Sequence, residues 1–201
     1  FTLLELLLVL GVLVVIGALS WPRMMRYVQE NALKQNVDTV RRELASTRMH
    51  AIESGLTYQF RYEPAGQQFL VLPFERPVVP DAEGPTAPSS TSSNSPSASA
   101  TKVKTVEGRI SSDFRFDMPT DTTGQTTGGQ RLSDHWLTLL KNGGQYSQTS
   151  WSPPILFRAN GESQDAQLVI KDKTGNSIML SVRGLTGAVR VEPLQRPEAR
   201  P

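Results

Sequence analysis

Residues that could support catalysis or bind a metal are few and scattered in this sequence. The 201-residue chain has no cysteine and two histidines, His50 and His135. Without cysteine there is no disulfide and no thiolate metal site, and neither histidine belongs to a paired spacing typical of a metal centre. Catalysis needs a constellation of groups, not an isolated imidazole. We therefore expect no catalytic residue, no metal site, no cofactor and no enzyme activity.

The charged residue with the most unusual setting is Glu5. It lies in a run from Phe1 to Leu19 that is otherwise apolar except for Thr2. A carboxylate at the middle of a bilayer costs about 2.5 to 3.5 kcal/mol, so it needs a cationic partner or a place near the interface. Two alternatives stay open. Glu5 pairs with the amino group of Phe1, on the same chain or on a neighbouring subunit, or it reaches the lipid headgroups.

The apolar run has the length of a membrane span. As a helix with a rise of 1.5 Å per residue it would extend roughly 28 Å, close to the thickness of a hydrocarbon core. A soluble helix normally carries a polar stripe, and this run has none. Ser20-Trp21-Pro22 follows it, where a secretory signal peptide would have a small-residue cleavage site. We predict a transmembrane and assembly helix over residues 1–22.

Two basic residues follow this segment directly and bear on its orientation. Arg23 and Arg26 would, by the positive-inside tendency, leave the following domain in the cytoplasm. The chain begins with Phe, and a short basic leader removed from in front of Phe1 would reverse that orientation. We expect such a leader, and with it a domain on the outer face of the membrane.

The helix is predicted to continue through residues 23–55. Gly55 is suited to end it, because glycine adopts the left-handed conformation that closes many helices. The apolar residues of this stretch recur at steps of three and four, which indicates one buried face. They are Leu33, Val37, Val40, Leu44, Ala51 and Ile52.

Alternating residues and turn residues predict an antiparallel sheet after the helix. Tyr58 to Tyr62 and Phe69 to Leu72 read as a hairpin, and Asn160-Gly161 and Thr174-Gly175-Asn176 are typical of tight turns. Residues 135–140 fit either a helix or a strand. The fold class is therefore α+β, a long helix packed on an antiparallel β-sheet domain. The later strands are predicted at 109–118, 155–158, 166–171, 177–183 and 188–192.

The sheet domain is predicted to extend over 56–192, with a tail at 193–201. Residues 77–101 are rich in proline and serine and poor in apolar residues, so they cannot bury enough surface to offset the cost of ordering. We interpret them as a disordered insertion in one sheet domain. The alternative is a linker, but it would leave two units each with little core.

The amino-terminal residues resemble a known processing signal. Phe1-Thr2-Leu3-Leu4-Glu5-Leu6-Leu7, followed by an apolar run and Pro22, is similar to the class III signal of type IV pilins and pseudopilins. The resemblance implies that a prepilin peptidase cleaves before Phe1 and methylates its amino group. It also implies that Glu5 pairs with the amino terminus of a neighbour during assembly, and that Pro22 belongs to the assembly segment.

Two further stretches resemble the GspH/FimT family within that group. They are RRELASTRMHAIESGLTYQFRYE and ILFRANGESQDAQLVIKDKTGNSIMLSVRGLTGAVRVE. The resemblance implies a minor pseudopilin of the type II secretion system, a single-pass inner-membrane protein with a periplasmic domain that is incorporated into the pseudopilus. The implied partners are other minor and major pseudopilins, the inner-membrane assembly platform and the prepilin peptidase.

A FimT-like minor pilin that binds DNA for natural transformation is the alternative. Its relatives use a basic feature similar to Gly-Arg-x-Arg, and Gly187-Ala188-Val189-Arg190 lacks the first arginine. The net charge is +2 with a pI of about 9.1, whereas phosphate binding needs clustered positive charge. Nucleic-acid binding is therefore not expected. The residues that would carry it are Arg183, Arg190, Arg196 and Arg200.

Overall fold

The computed structural model describes residues 2–75, 104–119 and 129–196. Phe1, the predicted insertion at 77–101 and Arg200 lie outside these residues. The described residues form three helices: α1 (Leu3–Ser54), α2 (Asp134–Leu139) and α3 (Gly143–Tyr146). The strands are β1 (Tyr58–Tyr62), β2 (Gln68–Pro73), β3 (Val106–Arg109), β4 (Phe114–Asp117), β5 (Gln130–Arg131), β6 (Ser150–Trp151), β7 (Ile155–Phe157), β8 (Ala166–Asp172), β9 (Ser177–Val182) and β10 (Val189–Val191).

Helix α1 is continuous across the predicted boundary at residue 22. Its 52 residues correspond to about 78 Å. Thr2 caps its start in an extended conformation, and the Thr2 hydroxyl accepts a hydrogen bond from the backbone N–H of Glu5 at 3.3 Å. Gly55 ends it with a φ of +71°, and the Gly55 N–H donates to the carbonyl of Ala51. The predicted glycine stop is confirmed.

The strands form two four-stranded antiparallel sheets and a two-stranded ribbon. The first sheet has the order β3-β2-β1-β7, the second has the order β10-β9-β8-β4, and β5 pairs with β6. The β1–β2 hairpin aligns Phe60 with Val71, and the β8–β9 hairpin aligns Leu168 with Leu180. The α+β class is as predicted, but the sheet domain has two main sheets where we expected one.

The main core lies between α1 and the two sheets. Strands β1, β2, β7, β8 and β9 all contribute buried side chains to it, as does α1. The buried stripe of α1 consists of Leu33, Val37, Val40, Leu44, Thr47 and Ala51. Thr47 takes part because its hydroxyl donates to the carbonyl of Glu43 at 2.7 Å, which satisfies its polar group inside the core. Ile52, predicted for this stripe, is instead 43% exposed.

A second core covers the opposite face of the first sheet. Alternate residues of β2 point to opposite faces, so Phe69 and Val71 enter the main core while Leu70 and Leu72 enter the second one. The segment 132–151, which contains α2 and α3, closes over them with Trp151 fully buried. The sequence predicted neither this second core nor the β5–β6 ribbon.

The structure decides two further local predictions, the strand at 109–118 and the conformation of residues 135–140. Of the strand predicted at 109–118, only its second half is a strand of its own, β4, and Arg109 is the last residue of β3. A turn separates the two strands, and in it the Phe114 N–H donates to the Ser111 carbonyl at 3.0 Å. The break lets β3 pair with β2 in one sheet and β4 pair with β8 in the other. Residues 135–140, for which helix and strand were both open, fall largely in helix α2.

The first residues of the predicted tail are held by the domain. Gln195 exchanges two backbone hydrogen bonds with Ser177, each 2.8 Å long. Arg196 forms an ion pair with Glu30 of α1 at 2.8 Å. The chain thus returns to α1 just before the position where the helix begins to be buried, at Leu33.

Arg48 ties the end of α1 to turns from both sheets. Its Nε donates to the Gly161 carbonyl at 3.0 Å, in the turn between β7 and β8. Gly187, in the turn between β9 and β10, has a φ of +61° and lies against the same arginine: a Cβ added there would be 2.6 Å from Arg48 Cδ. This junction therefore requires glycine at position 187.

We predict that Leu44→Ala lowers the free energy of unfolding by about 2 to 5 kcal/mol, because it leaves a cavity in the main core. Met49→Ala is the matched control on the same helix, since Met49 is 54% exposed, and it should cost well under half as much. Urea unfolding of both variants measures the difference. Equal losses would contradict the placement of the buried stripe.

Gly187→Ala should destabilise the fold by about 1 to 3 kcal/mol, because alanine is strained at positive φ and would displace Arg48 from Gly161. Gly144→Ala is the control: an added Cβ at Gly144 meets no atom within 4 Å. Thermal unfolding should show a clear drop for the first variant and none for the second. An unchanged melting temperature for Gly187→Ala would mean that the junction at Arg48 does not contribute to stability.

Candidate assembly surface

The amino-terminal half of α1 presents a large uncovered apolar surface. Its large apolar side chains with a described exposure are between 46% and 82% exposed. They are Leu3, Leu4, Leu6, Leu7, Leu8, Val9, Leu10, Val12, Leu13, Val14, Val15, Ile16, Trp21, Met24, Met25, Tyr27 and Val28. The surface arises because the sheets begin to cover the helix only at Leu33. We call it the apolar shaft.

Within the described residues, no helix meets both the length and the hydrophobicity needed to cross a bilayer. The predicted span over 1–22 is thus not shown by the structure.

Glu5 lies in the first turn of α1, within the apolar shaft. Its backbone N–H is bonded to Thr2, and its side chain is exposed. Phe1, the residue with which it was expected to pair, lies outside the described residues, so the pairing stays a prediction. Pro22 lies inside α1 with no break in the helix. The role of Pro22 in assembly also stays a prediction.

The outward face of the second half of α1 is polar in its centre and apolar at its end. Outside the buried stripe, Lys34, Asp38 and Arg42 are exposed and take part in no hydrogen bond or ion pair with the described part of the chain. Met49 and Ile52 follow on the same face and are 54% and 43% exposed. The sequence analysis missed this face, although the residues between the buried positions could have indicated it.

His50 has partners that resemble a catalytic arrangement. Its Nε2 lies 3.2 Å from Ser46 Oγ and its Nδ1 lies 3.6 Å from a carboxylate oxygen of Glu53. A general base must offer a free lone pair to the nucleophile. Lys104 Nζ approaches the same Nε2 at 2.7 Å, closer than Ser46, so the lone pair is directed to an ammonium group. The arrangement suits anchoring of Lys104 to the helix better than activation of Ser46.

A cleft opens where the two sheets diverge, lined by Tyr62, prolines and amide side chains. Burial, together with the nearby charge of Asp117, raises the pKa of Tyr62 to about 12, which makes its hydroxyl harder to ionise than that of an ordinary tyrosine. Asp165, the carboxylate lining this cleft, accepts a hydrogen bond from the Gly184 N–H at 2.7 Å. Ser152, the other hydroxyl of the lining, donates to the Pro153 carbonyl at 3.1 Å and not to Asp165.

The predicted basic residues are only partly brought together. Arg183 and Arg190 are exposed, and Arg190 lies opposite Ser181 in the β9–β10 pair, so both arginines share the outer face of the second sheet. Arg196 is instead paired with Glu30. Arg200 lies outside the described residues. DNA contact by these residues stays a prediction.

No known family profile and no curated protein sequence matches this chain. Among solved structures, the chain is similar to two structures of EpsH, the minor pseudopilin of the type II secretion system of Vibrio cholerae, each at 12% identity. One match covers 80% of this chain and 95% of EpsH with a TM-score of 0.44, and the other covers 84% and 98% with a TM-score of 0.48.

Proposed function

We propose that this chain is a minor pseudopilin of a type II secretion pseudopilus, a structural subunit and not an enzyme. It assembles with other minor and major pseudopilins to drive protein export across the outer membrane. The single observation that carries this proposal is the apolar shaft of α1, which projects from a domain whose own core is complete. The processing signal that the amino-terminal residues resemble supports it.

The apolar shaft has to be covered in the working state of the protein. Soluble monomers rarely expose contiguous apolar patches above a few hundred Å². The side chains from Leu3 to Val15 surround the helix, so one flat partner surface would cover only part of them. A bundle of parallel helices or the interior of a bilayer covers a helix on all sides. Both environments occur in the life of a pseudopilus subunit, first the inner membrane and then the filament.

Glu5 places a carboxylate at the amino-terminal end of the shaft. In an apolar bundle an isolated carboxylate is costly, and a neighbouring subunit's amino group would offset that cost by forming an ion pair. Such a pair requires cleavage by a prepilin peptidase in front of Phe1. We place the sheet domain in the periplasm and the inner-membrane assembly platform at the amino-terminal end of α1. The predicted single-pass anchoring belongs to this proposal.

We predict that Glu5→Leu leaves the protein in the membrane fraction of its native cells but abolishes its incorporation into pseudopili. Removing the charge makes the shaft more apolar, so membrane partition is kept, while the ion pair that drives assembly is lost. Sheared filaments are collected and probed for the variant. Glu5→Asp keeps the charge on a shorter side chain and is the control, expected to retain part of the incorporation. Normal incorporation of Glu5→Leu would refute the role of Glu5.

The DNA-binding alternative has one observation in its favour, the shared outer face of Arg183 and Arg190. If it is correct, replacing both arginines with alanine should weaken DNA retention by the purified chain and lower its salt dependence. Arg158→Ala with Lys173→Ala removes the same charge elsewhere and is the control. We expect no difference between the two double variants. A selective loss with the first pair would favour the DNA-uptake function.

A further inference from the structure

The face of the first sheet that is turned away from α1 carries a half-buried arginine. Phe60 and Tyr62 of β1 enter the main core, so Gln59 and Arg61, which alternate with them, point to the opposite face. Gln59 is 1% exposed, and Arg61 is half-buried beside it. The Arg61 Nε donates to the Gln59 Oε1 at 2.9 Å. This outer face of the first sheet therefore holds a cation that is partly removed from water.

Arg61 has no counter-ion in the described part of the chain. The ion pairs found there do not include it, and Gln59 accepts from one of the five N–H donors of its guanidinium. Burial lowers the pKa of Arg61, because it removes hydration from the charged form. Charges that are withdrawn from water are normally paired. The remaining donors of Arg61 thus lack an anion among the described residues.

The carboxylate in the same row of the sheet is Glu107, and it is bonded elsewhere. Leu70 lies opposite Arg61 on one side and opposite Glu107 on the other, so the two charged residues are two strands, about 10 Å, apart. The Glu107 carboxylate accepts three hydrogen bonds, of 2.6 to 3.1 Å, from the segment 132–151 that closes the second core. Glu63, two residues after Arg61, accepts a hydrogen bond within its own turn. Neither carboxylate neutralises Arg61.

The layer beside Arg61 also contains polar atoms without partners. Gln68 Oε1, His135 Nε2 and Trp151 Nε1 are buried and form no hydrogen bond with the part of the chain that the structure describes. Gln68 shares the outer face with Leu70, and His135 and Trp151 belong to the segment that closes over Leu70. Buried polar atoms are as a rule hydrogen-bonded. Unmet polar groups are thus concentrated on this side of the first sheet, where Arg61 lies.

The direction of this face bears on what can reach it. The main core and the first sheet both lie between Arg61 and α1. In a filament whose subunits pack through α1, the side of the sheet farthest from α1 is turned away from the helical bundle. A protein that meets the filament from outside therefore has access to Arg61.

Resting on the proposed function, we propose that Arg61 binds an acidic segment of a soluble protein that meets the filament from outside. The planar guanidinium fork matches a carboxylate, which accepts two parallel hydrogen bonds from it. The neighbours of Arg61 suit a protein ligand, because Leu156 of β7 lies half-buried on the same face, opposite Gln59. An arginine next to apolar side chains is typical of the anchor of a protein interface. A nucleic acid would need clustered positive charge instead.

A zero-length crosslink tests this proposal. A carbodiimide condenses an amine with a carboxylate in contact with it and does not couple a guanidinium. Arg61→Lys keeps the charge and supplies the amine, so the full-length variant in its native cells should gain a crosslink from residue 61 to one defined Asp or Glu of a soluble protein. Peptide mass spectrometry identifies both residues. Arg115→Lys is the matched control, because Arg115 is exposed on β4 of the second sheet, and it should give no such crosslink.

Charge reversal measures the contribution of the pair in the same cells. Arg61→Glu should lower the amount of that protein recovered with sheared filaments by about tenfold or more, because repulsion replaces the ion pair. Arg115→Glu should leave the amount unchanged. The filaments are also probed for each variant, which shows that it has folded and been incorporated.

Three results would overturn the proposal while the proposed function stands, provided that the variants are present in the filaments. A crosslink from residue 61 to the same chain would reveal an internal counter-ion. A crosslink to another pseudopilin would make this face a contact between subunits. The absence of any crosslink would mean that Arg61 binds no acidic segment. If the unsubstituted chain is itself missing from the filaments, the proposed function is refuted, and with it the outward direction of this face.

Discussion

The packing of the buried stripe of α1 against two sheets is the interaction on which the rest of the molecule depends. Leu33, Val37, Val40 and Leu44 remove one narrow face of the helix from water and leave the other faces exposed. Because the sheets bury the helix only from Leu33 onward, the large apolar side chains of the preceding segment stay exposed. The same contact that completes the core therefore also produces the exposed shaft.

The domain contacts the long helix through two sheets and not through one. The first sheet packs β1 against α1, and the second approaches the same helix from β8, β9 and β10. Arg48 and Glu30 add polar contacts at the two ends of the buried section, through Gly161 and Arg196. The helix is therefore held along one face by the sheets and at both ends of that face by polar contacts.

The sequence predicted those features that depend on local chemistry. The apolar run, the stop at Gly55 and the hairpin of β1 and β2 follow from residue types within a few positions, and all three are present. The buried stripe includes Thr47, whose hydroxyl donates to the Glu43 carbonyl, and leaves out Ile52, which is 43% exposed. The break between β3 and β4 depends on which sheet each strand joins, and no short-range pattern contains that information.

The candidate site was predictable in its apolar part and not in its polar part. Glu5 stands out because it is alone among apolar residues, whereas Lys34, Asp38 and Arg42 look like any solvated helix surface until the buried stripe is known. Once α1 is oriented by its core, it becomes clear that all three charges lie outside the buried stripe and are exposed.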